Sequence, residues 1–166
     1  MSLQQSNASA LADMYVFAAA WRDDAARDVE LLKRIKKTIN ALRQITDSLR
    51  SNYALAASFI DLIKSFPCQV DETKLFEGLD QLQGALEPLR DELEAKLVAA
   101  KKDRDLCESD GVARAYRDAL NAACDLYSAA EQMRWAAMHR NAELDPSGSK
   151  DGLSTSEEIS RFLAAL

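Results

Sequence analysis

The chain of 166 residues carries 21 Lys and Arg against 27 Asp and Glu, a formal net charge of −6, with an isoelectric point near 4.9. That balance argues against a whole-molecule affinity for nucleic acid or an anionic membrane, since both require a positive field. Apolar residues reach 48% while Gly and Pro number only 5 and 3, a composition suited to long amphipathic helices in one domain large enough to bury a core.

Residues 1–7 read as a disordered N-terminus. After them Leu11, Met14, Tyr15, Ala18 and Ala25 recur at helical spacing, with Asn7 or Ser9 as N-cap and Asp13 near the positive end. Residues 14–21 are apolar, but no Lys or Arg precedes them, so the pattern of a secretory leader is not met and a cytoplasmic chain is expected. Asp23-Asp24 can cap a fresh helix; otherwise residues 9–66 form a single one.

The strongest pattern spans residues 27–66. One heptad seam carries Ile35, Leu42, Leu49, Ala56 and Ile63, and its companion carries Leu32, Ile39, Thr46, Tyr53 and Ile60. Leu31, Ile45 and Phe59 widen the stripe beyond a two-stranded seam, which calls for more than one packing partner. Phe66-Pro67 ends the helix, because a residue before Pro is pushed out of the α region.

Asp71 then serves as N-cap for a second heptad, with Leu75, Leu82 and Leu89 on one seam and Leu79, Leu86 and Leu93 on the other, continued by Leu97 and Ala100. Gly84 and Pro88 lie inside it, so a kink or a break near Glu87 is expected. After Asp110-Gly111 a third pattern runs over residues 112–144 with an alanine-rich face, and Tyr127 and Trp135 are expected to fill gaps at its edges. Three segments of similar length predict an all-α antiparallel up-down bundle over residues 8–144. Residues 145–155 read as a loop and residues 156–166 as a short C-terminal helix, whose Ile159, Phe162, Leu163 and Leu166 would pack on the bundle.

Few constellations suggest chemistry. Asp145, Ser147, Ser149 and Asp151 space oxygen ligands as an EF-hand calcium loop does, and Glu158 follows, but no single register supplies Asp at the first position, Gly at the sixth and Glu at the twelfth. A turn followed by the capping box Thr155 to Glu158 explains the same residues, and no metal is assigned. Glu77 with Asp80, and Asp91 with Glu94, have the spacing of a carboxylate-bundle enzyme yet sit on a solvated face. The single histidine, His139, has no Glu three positions before it. Cys68, Cys107 and Cys124 show neither CxxC spacing nor an even count, as free thiols would.

In an antiparallel arrangement the basic residues Lys36, Lys37, Lys101 and Lys102 would gather at one end and could meet an acidic or phosphorylated partner, although neighbouring carboxylates offset them. Leu11, Tyr15 and Trp21 would need a partner if the first helix continues straight. The expectation is therefore a non-catalytic helical module that binds helical partners or copies of itself, without cofactor, membrane span or nucleic acid. A metal-dependent bundle enzyme is the competing class.

Overall fold

The computed structural model describes the backbone of residues 3–102, 109–144 and 164, and the side chains of residues 25–102, 111–144 and 164. Three helices account for nearly all of it: α1 (Leu3–Ser65), α2 (Glu72–Lys102) and α3 (Ser109–Leu144). No strand occurs among the described residues. Asp23-Asp24 therefore starts no new helix; α1 runs unbroken through it. The chain divides into two units, Met1–Asn40 and Ala41–Leu166.

The described residues of the first unit all belong to the N-terminal part of α1. Its side chains from residue 25 to 34 are all exposed, and Ile35, Thr38 and Ile39 are half-buried. The second unit holds the core. From α1 it takes Leu42, Thr46, Leu49, Ala56, Phe59, Ile60 and Ile63, all buried. Thr46 is tolerated in that row because its hydroxyl donates to the Leu42 carbonyl at 2.8 Å, which leaves no unpaired polar atom.

Pro67 stops α1, and the last turn tightens as the Phe66 N–H donates to the Ile63 carbonyl at 3.2 Å. Asp71 caps α2: its carboxylate accepts the Lys74 N–H at 3.3 Å while its carbonyl accepts the Leu75 N–H at 3.1 Å.

Within α2 the buried side chains are Leu75, Leu79, Gln83, Leu86, Leu93 and Leu97, whereas Leu82 and Leu89 are only half-buried. Pro88 neither breaks nor divides α2, which continues from Glu72 to Lys102. Pro88 and Gly84 are both exposed, so the carbonyl that the missing N–H would have served sits on the solvent side, where water can satisfy it.

α3 packs against α2 and carries an alanine-rich buried face. Eight of its alanines are buried, Ala113, Ala115, Ala119, Ala122, Ala123, Ala129, Ala130 and Ala137, with Leu126 and Met133 fully enclosed among them. Side chains this short let helix backbones approach closely and spread the contact over many small surfaces. As α2 is followed from Glu72 to Glu87, its hydrogen-bonding partners on α3 run the opposite way, from Asn141 through Arg134 and Glu131 to Tyr127.

Candidate functional site

Three polar or mixed features stand out against this core, and each uses residues from two segments. The first is a clamp on the turn between α1 and α2. Arg140 of α3 donates from Nε and Nη2 to the Phe66 carbonyl at 2.8 and 2.7 Å, and from Nη1 to Glu143 at 3.1 Å. One turn position on, Asn141 accepts the Val70 N–H at 2.6 Å, donates to the Val70 carbonyl at 2.8 Å, and donates to Glu72 at 2.9 Å. α3 thereby pairs the Phe66 carbonyl and both backbone groups of Val70.

The second feature is a polar node between α2 and α3. Gln83 is buried; its amide donates to Glu131 at 2.6 Å and its oxygen accepts from Arg134 at 2.8 Å. Arg134 also pairs with Asp80 and lies over the Phe76 ring, 5.3 Å from its centroid. Nearby, Arg90 stacks on Tyr127 at 4.8 Å, and Tyr127 donates its phenol proton to Glu87 at 3.2 Å. Burial raises the Tyr127 pKa, and the bond to Glu87 raises it further. The node links α2 to α3 through these bonds, while the buried Arg90 Nε has no hydrogen-bond partner among the described residues.

The third feature is a groove of about 540 Å³ between α1 and α3, lined by Ile60 and Lys64 on one side and by Gln132, Trp135, Ala136, His139, Arg140 and Glu143 on the other. Trp135 is 65% exposed there, so it does not fill an edge gap as its sequence position suggests. The neighbouring Met138 is exposed too. The rim is basic but loosely paired: Lys64 lies 3.9 Å from Asp61 and His139 lies 3.9 Å from Glu143. Such a surface offers apolar contact with a cationic edge and no nucleophile held by a base.

The residues singled out in the sequence fall as follows. Lys36 and Lys37 are exposed on the first unit, and Lys101 and Lys102 are exposed in the last turn of α2 in the second. Leu11, Tyr15 and Trp21 lie on the backbone of α1, with their side chains outside the described residues. Asp145, Asp151 and Glu158, with the loop 145–155, also lie outside them, as does the segment 156–166 apart from Ala164. Glu77, Asp91 and Glu94 are exposed, and Asp80 pairs with Arg134. Among the described residues no group of three His, Cys, Asp or Glu side chains could hold a metal ion, and no helix is long and apolar enough to cross a membrane.

No protein-family model, curated protein or solved structure matches this chain.

The groove was not visible in the sequence, although its signal was present. Trp135 and Met138 are large apolar residues three apart on α3, and Ile60 and Lys64 make a mixed pair one turn apart on α1. The node left a clearer trace, since Gln83 interrupts a run of leucines at a position that faces the core.

Proposed function

We propose that this protein is a non-catalytic interaction and assembly module: an antiparallel up-down helical bundle that joins a second copy of itself through the N-terminal part of α1. The opposite running order of the α2 and α3 partners supports the antiparallel reading. The observation that carries the self-association is the exposure of Leu32, 47%, with Leu31 beside the seam at 43%, on a helix whose later seam members Leu42, Leu49 and Ile63 are buried.

Because α1 is continuous, the frame can be read on along the same helix, and supercoiling with a second copy would keep its positions on one seam. Read toward the N-terminus from Ile35 and Leu32, its seam positions are Asp28, Trp21 and Met14 on one line and Ala25, Ala18 and Leu11 on the other. An apolar seam two or more heptads long has a ready complement in another copy of the same helix. Its flanks carry both signs, with Glu30 within 4.0 Å of Lys33 and 3.9 Å of Arg34, so like-charge repulsion between copies is limited. Asp28 is the one charged residue on the seam, and a single polar group there fixes register and copy number at some cost in stability. The thiol of Cys124 is free, which suits a reducing cytoplasmic setting.

Amide hydrogen exchange over residues 28–39 tests the reading. Association protects those amides at high protein concentration and releases them on dilution, while amides under Leu126 and Met133 are indifferent to concentration. Protection that does not vary with concentration would refute it.

A further inference from the structure

We propose that the groove between α1 and α3 binds a small aromatic carboxylate, its ring against Trp135 and its carboxylate at Lys64 and His139. This goes beyond self-association, uses a different surface and would stand without it.

The groove is polarised along its length. Ile60 and Lys64 are four positions apart on α1, and Trp135 and His139 are four apart on α3, so each helix sets a proton-donating side chain one turn beyond an apolar one. The two rows run in step, because Arg140 clasps the Phe66 carbonyl just past Lys64 and the lining extends from there back to Ile60 on α1 and to Gln132 on α3. Ile60, Trp135 and Ala136 therefore make one half apolar, while Lys64, His139 and Arg140 make the other half polar. The matching ligand is apolar at one end and anionic at the other.

Size and charge narrow the choice. A volume of about 540 Å³ falls within the range of small-molecule sites, and an indole that is 65% exposed offers a flat face on which an aromatic ring stacks. Among the described lining residues Glu143 is the one carboxylate, and Arg140 already holds it at 3.1 Å. Lys64 lies 3.9 Å from Asp61, with their side chains 65% and 82% exposed, a pairing so loose and so well hydrated that an incoming carboxylate displaces it at little cost. With Lys64 and Arg140 against Glu143, the lining keeps a cationic surplus on a chain whose net charge is −6. That surplus selects an anionic head over a neutral or basic one.

The test follows the Trp135 indole N–H by nuclear magnetic resonance as naphthoate is added to the full chain carrying Trp21→Phe, which leaves Trp135 as the single indole. The signal shifts saturably, and naphthalenemethanol, of similar shape without the charge, binds several-fold more weakly. Lys64→Glu weakens naphthoate binding several-fold, whereas Lys101→Glu, in the last turn of α2, leaves it unchanged; both lysines are exposed, so helix content is the same in the two variants. An indole signal that naphthoate does not move, equal binding of the neutral analogue, or an equal loss in the two lysine variants would overturn the proposal. So would a signal that moves with protein concentration before any naphthoate is added, because a second copy would then be the occupant.

Discussion

Asn141 holds Val70 at both backbone groups, accepting its N–H at 2.6 Å and donating to its carbonyl at 2.8 Å across 71 positions of sequence. Val70 is buried, so a backbone group that loses this partner is poorly hydrated. Asn141→Ala leaves both unpaired and is expected to destabilise the fold by about 2–4 kcal/mol, at the usual cost of a buried unsatisfied group. Urea unfolding followed by circular dichroism measures it. Asn141→Asp retains the acceptor, loses the donor, and should fall between the two.

Arg134 is the hub of the α2–α3 node, serving Asp80 and Gln83 at once while lying over the Phe76 ring. Arg134→Met keeps much of the stem packing but removes the charge-assisted bonds, leaving the buried Gln83 oxygen without its donor. A loss of about 2 kcal/mol is expected. Gln83→Leu on top of Arg134→Met should recover part of it, because both halves of the interaction are then apolar; a double-mutant cycle reads the coupling.

Gly84 sits in the interior of α2 with nothing within 4 Å of the place a Cβ would occupy. Gly84→Ala should therefore stabilise the protein by about 0.5–1 kcal/mol, through the helix propensity gained. A rise in the thermal midpoint without change in oligomeric mass is the expected result.

Tyr127 gives a signed pH dependence. Its folded pKa is raised by burial first and by the bond to Glu87 second, so folding favours the neutral phenol. That contribution is complete below the unfolded value and is lost as pH climbs through the higher folded value, which places the decline above about pH 10. Wild-type unfolding free energy should fall more steeply across that range than that of Tyr127→Phe, with the two compared by urea midpoints at matched pH.

Much of the architecture was legible in the chain, and the exceptions have physical causes. The stripe Leu42, Leu49, Ala56, Ile60 and Ile63 is buried as its spacing requires, and Pro67 and Asp71 end and start helices where they should. In α2 the strict seven-residue reading put Leu82 and Leu89 on one seam, but the helix buries Gln83 and leaves Leu82, Leu89 and Arg90 half-buried. A straight helix turns by 3.6 residues and drifts about 20° per heptad against a 3.5 repeat, so the contact line moves one residue along.

Leu32 and Tyr53 share the seam of Ile60 yet remain 47% and 41% exposed, since periodicity reveals which face is apolar but not how much of it a neighbour covers. The same limit hid the groove, where Trp135 and Ile60 come together only through folding. The clamp by Arg140 and Asn141 left no pattern at all, because its partners are backbone groups some 70 positions away.

The central claim is that the apolar frame of α1 before Asn40 is covered by a second copy of the chain. Sedimentation equilibrium of the full protein, with and without Leu31→Glu and Leu32→Glu, tests it directly. The account predicts a concentration-dependent mass reaching at least twice that of one chain, reduced to one chain in the double variant with its helix content and unfolding midpoint at low concentration preserved. A wild-type chain that sediments as a monomer at every concentration, or an assembly that the two glutamates leave intact, would contradict it.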